Sequence, residues 1–209
     1  MARYINAVCR LCRREQEKLF LKGTKCNTEK CPIAKRAYPP GQHGQKNKPK
    51  LSNYGLQLRE KQKVKRMYGL MERQFRKYFA IASKSKGVTG KILLQLLERR
   101  LDNTVFRLGW ALSRAQARQM VGHGFIQVNS HRVNISSFLV KANDVIQVVP
   151  KDKAKELIRQ NLEITKDRSV AGWLESNPKE FKASVIRLPE KEDIQSPIEE
   201  QLIVELYSK

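Results

Sequence analysis

All four cysteines of this 209-residue chain fall within its first 31 positions, as Cys9-Arg-Leu-Cys12 and Cys26-Asn-Thr-Glu-Lys-Cys31. Tetrahedral zinc needs four soft ligands brought together from short loops. A C-x2-C pair grips one ion with two sulfurs, and a second near-pair thirteen residues on closes the shell. The spacing therefore predicts one structural Zn2+ held by Cys9, Cys12, Cys26 and Cys31. With four thiolates no coordination position stays open, so the ion folds the segment and catalyses nothing. Two disulfides are the plainer alternative, but they suit an oxidising compartment and not a lysine-rich chain read as intracellular. His43 lies twelve residues past Cys31, and a closed shell has no need of it.

Charge narrows the partner. The chain carries 42 Lys and Arg against 20 Asp and Glu, a net of +22. Residues 1–150 hold 31 basic and 8 acidic side chains, while residues 151–209 hold 11 and 12. An excess this large and this regional points to a polyanion. Apolar residues recur among the charges, which argues against a disordered tail, and the helices read as core-packed, which argues against a membrane patch. No run approaches 18 apolar residues, and Met1–Arg14 lacks the apolar stretch of a secretory signal. The expectation is a soluble, cytoplasmic nucleic-acid binder with no membrane partner and no small-molecule substrate.

Patterning along the chain predicts an α+β fold. A short basic helix is expected over Arg13–Lys22, ended by Gly23, and the Pro-, Gly- and Lys-rich stretch 37–50 reads as a loop. Ser52 is placed to cap a helix running to about Met67, stopped by Gly69. Helices follow over Leu70–Ser83 and, capped by Thr89, over Gly90–Leu101. Tyr54, Tyr68, Phe75 and Phe79 sit at helical spacing and read as core. Ser113 caps Arg114–Val121, and Gly122-His123-Gly124 is a helix stop. Strand-like runs then appear at 125–128, 133–135 and 145–149, as expected of a small, mostly antiparallel sheet with helices on one side. Residues 152–164 return to helix. Ser196-Pro197-Ile198-Glu199 carries the cap, first-turn proline and capping-box Glu of a last helix. The three histidines pair with no carboxylate or cysteine at useful spacing, and no phosphate loop occurs.

The stretches Leu-Glu-Arg-Arg-Leu-Asp-Asn (97–103), Ser-Arg-Ala-Gln-Ala-Arg-Gln-Met-Val (113–121) and Ile-Gln-Val-Asn (126–129) resemble a small RNA-binding module. It is the one named after the S-four family of bacterial small-subunit ribosomal proteins. Pro40-Gly41-Gln42-His43-Gly44, Leu51-Ser52-Asn53-Tyr54-Gly55, residues 58–64 and the closing Gln201–Lys209 extend the resemblance to that family over essentially the whole chain. The four-cysteine start is similar to the family's zinc-binding subset.

The resemblance implies a structural, non-enzymatic primary binder of the small-subunit (16S) rRNA 5′ domain. Such a protein nucleates the body of the 30S particle, touches ribosomal protein S-five and other 30S proteins, and contributes to decoding accuracy. It also implies contact with mRNA near the channel by which mRNA enters and, in some members, translational autorepression. An organellar ribosome of bacterial type stays open. The implied organisation is a zinc knuckle and basic loop (1–50), then a helical rRNA-binding domain (51–98) rejoined by 181–209, with the module (99–180) inserted.

Shape-matched phosphate contact needs rigidly spaced Arg and Lys. In the first domain the candidates are Arg59, Lys61, Lys63, Arg66, Arg73, Arg76 and Lys77. In the module they are Ser113, Arg114, Gln116, Arg118 and His123, at a helix start and its outward face. Lys46, Lys48 and Lys50 resemble the family's mRNA-facing loop. Relatives usually have Asn-Gly where this chain has Asn129-Ser130, so the turn after the first module strand is expected to change type or carry strain.

Two rivals stand beside this reading. Arg100-Leu101-Asp102 matches the tripeptide of pseudouridine synthases, in which Asp102 would be the nucleophile of an RNA-modifying enzyme carrying the same module. Too little chain remains for a catalytic domain, and an aspartate there is expected to cap or pair within a helix. A zinc-dependent DNA-binding regulator is the second, but no groove-reading helix stands out.

Overall fold

The short N-terminal helices are set by backbone reversals. α1 spans Cys9–Glu15 and stops because Gln16 turns left-handed at φ 58°, as Phe20 does at φ 51°. The basic helix expected over 13–22 is therefore displaced. Between the two reversals Leu19 is driven inward to 1% exposure, which a continuous helix would not achieve. A 3-10 turn, Gly23–Cys26, and α2 (Pro32–Lys35) complete the cysteine-bearing segment, with Pro32 at the first helical position, where its missing N–H costs nothing. The computed structural model describes residues 3–45, 50–194 and 197–208.

α3 (Asn53–Met67) begins where Ser52 Oγ accepts from the Gly55 N–H at 3.2 Å and ends at Gly69, which adopts φ 62°. α4 (Glu72–Lys84) buries Phe75, Tyr78 and Ala82, one stripe at helical spacing. α5 spans Thr89–Glu98. The apolar run that reads as one helix through Leu101 is in fact split. Arg100 is extended, and the Leu101 N–H donates to the Phe138 carbonyl at 2.8 Å, so α6 (Leu101–Arg107) starts afresh. α7 covers Arg114–Gly122, with Ser113 Oγ accepting from the Gln116 N–H at 3.3 Å.

The sheet is antiparallel throughout and contains five strands among the described residues. These are β1 (Ile126–Val128), β2 (His131–Arg132), β3 (Val145–Val148), β4 (Leu174–Asn177) and β5 (Lys182–Val185), in the order β2-β1-β3-β5-β4. β2 is displaced from the expected 133–135 because a tight two-residue turn starts the return strand at once. Asn129 (φ 50°) and Ser130 (φ 68°) are both left-handed, so serine occupies a backbone position that favours glycine. Asn129 anchors that turn: its Oδ1 accepts from the Val145 N–H at 2.9 Å and its Nδ2 donates to Asp144 at 2.8 Å. α8 (Asp152–Ile164) lies between β3 and β4 in sequence. Trp110, Val105, Ile126, Ile146, Ile158, Trp173 and Val185 share the core here.

Two units result: Met1–Leu93 with Ser196–Lys209, and Leu94–Gln195. The expected return of 181–209 to the helical domain is corrected by β5. Its pairing with β3 and β4 draws residues 181–195 into the sheet-bearing unit. The return is made by α9 (Glu200–Tyr207), which packs on α3 with Ile203 fully buried. Its first residue comes so close to Gly90 that a Cβ there would meet the Glu200 Cβ at 2.9 Å. No side chain caps α9: Glu199 sits at the cap, and its N–H goes instead to Glu60 at 3.0 Å. The expected cap, Ser196, lies outside the described residues.

Candidate nucleic-acid interface

In the first unit, α4 presents Arg73, Arg76 and Lys77 to solvent on the face opposite Phe75 and Tyr78. Arg76 approaches Glu72 at 3.6 Å with its side chain 70% exposed, a pair worth little in water. Among the described residues Arg73 and Lys77 have no carboxylate partner. These are cations free to meet phosphate.

α3 behaves differently. Lys61 is buried; its amine donates to Glu72 Oε1 at 3.0 Å and lies 5.8 Å over the Tyr207 ring. That corrects its expected exposure: with its charge already matched inside unit 1, it fastens α4 and α9 to α3. Lys65 and the Tyr207 hydroxyl donate to the same carboxylate, each at 3.0 Å. Burial works against the Glu72 charge, but these donors outweigh it and hold the group down to about 2. Arg59 and Arg66 both reach the buried Glu15 carboxylate of α1, Arg59 at 3.3 Å. Burial raises the Glu15 pKa even so, with Arg66 and Arg59 opposing it. Lys63 is spread over the Pro197 carbonyl (2.8 Å), Glu60 (2.9 Å) and Glu17 (3.5 Å).

The exposed face of unit 1 also includes residues that the motif reading passed over. Arg10, Arg14 and Lys18, then Lys22, Lys25 and Lys30, are all exposed around the cysteines. The i, i+4 recurrence of the first three is legible in the sequence, although Lys18 lies past the end of α1 at Glu15. Lys50 is exposed, and Lys46 and Lys48 lie outside the described residues. Tyr68 and Phe75 are core as expected, but Tyr54 is 58% exposed. It occupies the first turn of α3, close in sequence to exposed Leu51 and Leu56.

In the second unit most of the expected contacts point inward. Arg100, fully buried, grips Asp102 through Nε (3.0 Å) and Nη2 (2.7 Å), and Arg118 takes the same carboxylate at 2.7 Å. Arg107 forks onto the buried Glu98 at 2.8 and 3.0 Å. Arg114 donates to Asn103 at 2.8 Å and lies 4.5 Å over Phe106. Arg114 and Arg118 are corrected from surface contacts to internal braces: buried Asp102 demands cation partners and takes Arg118, while the Asn103 amide oxygen and the Phe106 ring hold Arg114. Asp102, held between two guanidiniums, is paired within the helical region and serves no nucleophilic role. Gln116 accepts from the Leu112 N–H at 2.7 Å, so it and Ser113 fix the start of α7. His123 is exposed, with Arg132, His131 and Lys141 also outward in this unit.

The four cysteines are free thiols that line one cavity of about 10 Å3, with room for little more than a single atom. Cys12, Cys26 and Cys31 are buried. Burial pushes Cys12 up to about 11, opposed by an N–H bond from Leu19 and reinforced by the other three cysteines. The Lys22 N–H donates to Cys26 Sγ at 3.3 Å. Four thiols around one small space, no disulfide and a backbone N–H aimed at sulfur are the chemistry of a thiolate site without its geometry. As they stand, no group of three or more His, Cys, Asp or Glu among the described residues has donors positioned to hold a metal ion.

Comparison with known families follows this division of the chain. Residues 3–98 match the ribosomal protein S4/S9 N-terminal domain and residues 99–146 match the S4 domain. The chain is 58% identical to small ribosomal subunit protein uS4 of Thermodesulfovibrio yellowstonii, 60% to that of Thermoanaerobacter sp. and 54% to that of Thermus thermophilus. Each match covers 209 residues and the full length of both chains. The chain belongs to the uS4 family. Its structural role is ribosomal and not enzymatic, and the pseudouridine-synthase alternative finds no support among uS4 relatives. The α+β plan, with helices around a small antiparallel sheet, is likewise that of an S4-domain protein.

Proposed function

We propose that this uS4-family chain is a primary binder of the small-subunit rRNA 5′ domain that nucleates the body of the 30S particle in the bacterial cytoplasm. The observation carrying this is the outward row Arg73, Arg76 and Lys77, of which only Arg76 meets a carboxylate, on a helix locked by its own apolar stripe. Cations at fixed spacing select a folded junction by shape, while each neutralised phosphate adds salt-sensitive affinity. The exposed cations around the cysteines widen that surface. One Zn2+ on Cys9, Cys12, Cys26 and Cys31 would stiffen its base, placing the chain in the zinc-binding subset; the convergence of the four thiols supports this. Contact with S-five, decoding accuracy, a basic 46–50 loop facing incoming mRNA and autorepression follow from family membership, and the outward Lys50 is compatible with the loop's role.

The test is binding of the purified chain to a 5′-domain rRNA fragment across a salt series, beside a same-length RNA with its junction helices scrambled. Preference for the intact junction that persists at raised salt supports the proposal. Equal binding that fades together refutes it.

A further inference from the structure

A hollow of about 650 Å3 opens in the second unit, lined by apolar Leu162 and Phe181 and by Arg159, Lys166, Arg168 and Lys179. The size is that of a small-ligand site. Its cations stand out against their sequence background. Residues 151–209 are almost charge-neutral, yet four of their eleven basic side chains surround this one space, and Glu163 is the carboxylate among its lining.

Arg168 is the informative member. Its Nη1 donates to the carbonyls of Phe106 and Ala111, both at 3.3 Å, and its guanidinium lies 4.5 Å over the Phe106 ring. Among the described residues no carboxylate pairs with it. Burial lowers its pKa, neighbouring Arg107 lowers it further, and no anion raises it. A half-buried guanidinium matched only by carbonyls and a ring is costly unless an anion completes it, and a planar fork suits phosphate.

We infer that this hollow receives one unstacked RNA nucleotide, its base against the apolar wall and its phosphate on Arg168 and the surrounding cations. The cations come from α8, from the segment after it and from the β4–β5 turn, and so border one space. An acidic peptide is better suited by cations spaced along a groove. Aromatic walls take any base face, which is how proteins commonly seize splayed nucleotides of folded RNA. The inference rests on the RNA-binding reading above and adds a site in the second unit.

The full-length, 15N-labelled chain is titrated with adenosine 5′-monophosphate, with adenosine and with inorganic phosphate. Saturable shifts are expected from the monophosphate at amides in 106–111, 159–170 and 176–181, with either half alone roughly tenfold weaker or more. Arg168→Gln should weaken the monophosphate by about tenfold. Val170→Trp, which fills the hollow and removes no charge, should abolish its binding even if the arginine variant fails to fold. Absence of saturable shifts, or binding unchanged in Val170→Trp, overturns the inference. So does an acidic, phenylalanine-containing peptide that displaces the monophosphate at lower concentration, which would make the hollow a protein-docking site.

The same preparation is tested on the intact and scrambled rRNA fragments. Junction preference without monophosphate binding sinks the nucleotide pocket and leaves the ribosomal reading standing. Monophosphate binding without junction preference does the reverse, keeping the nucleotide pocket and sinking the proposal of primary 5′-domain binding.

Discussion

The two units use the same residue type in opposite ways. In the first, cations on α4 and around the cysteines face water, and the few that turn inward, Lys61 above all, fasten one helix to another. In the second, Arg100, Arg107, Arg114 and Arg118 are drawn into Glu98, Asp102 and Asn103, so the module's most basic-looking helices spend their charge on themselves. Net charge locates a nucleic-acid-binding chain, but only the position of buried carboxylates tells which arginines remain to bind. The cores differ as well. Unit 2 closes around two buried tryptophans, whereas the N-terminal segment of unit 1 gathers little beyond Leu19, Ile33 and its cysteines.

That contrast yields its largest expected effect at the cysteines. If a structural ion replaces a core there, Cys9→Ser with Cys26→Ser, or a strong chelator, should unfold residues 3–45 and leave the sheet-bearing unit intact. Structural zinc is worth on the order of 10 kcal/mol to such a segment. Limited proteolysis alongside metal analysis checks this, and a metal-free chain with a protease-resistant N-terminus would break the comparison.

Next comes the inward network. Asp102→Ala removes the buried carboxylate shared by Arg100 and Arg118 and should destabilise the second unit by about 3–5 kcal/mol in urea denaturation. A cost near zero would mean that the pairs are ornamental and Arg118 is available after all.

Acid should separate the units again. The Glu72 pKa is depressed to about 2 in the folded chain, so its contribution to unit 1 is fully present above the ordinary carboxylate range, near 4.5. It is lost as pH falls from there through about 2. Loss of α9 docking over that interval, followed through Tyr207 fluorescence, should be blunted in Glu72→Gln. The smallest effect on folding is expected outside. Arg73→Ala with Lys77→Ala should alter stability by less than about 0.5 kcal/mol. It should nonetheless lower the slope of rRNA affinity against salt by roughly 0.7–0.9 per charge removed. An unchanged slope would take α4 out of the interface.

How much of this was readable beforehand follows from where the deciding partner sits. Ser52 and Ser113 cap the helices they precede, and α8 runs over 152–164 as patterned, because caps and periodicity are local. Ser130 was expected to alter or strain its turn; it keeps the two-residue left-handed form, with Asn129 bonded to Asp144 and Val145. β4 and β5 escaped notice because Leu-Glu-Ser-Asn and Lys-Ala-Ser-Val are short and half polar; their pairing with β3 is what makes them strands. Lys61, Arg114 and Arg118 look like surface residues in sequence, and only their distant or newly buried partners turn them inward. Tyr54 shows the converse, an aromatic at helical spacing left bare at a helix start.

The closure of unit 1 by α9 also sets an order of birth. Gln57 donates to Glu205, 148 residues later, at 2.9 Å, so the bed on α3 waits uncovered while the whole second unit is synthesised. The inserted unit has all its strands in hand by residue 185 and can mature first, whereas its host cannot. A chain stalled after residue 199 should therefore carry a finished sheet and an open helical half, readable as normal protection of β1–β5 with fast amide exchange in α3. α9 thus covers its bed on α3 only after the whole second unit has been made, and a product truncated before it leaves that bed open.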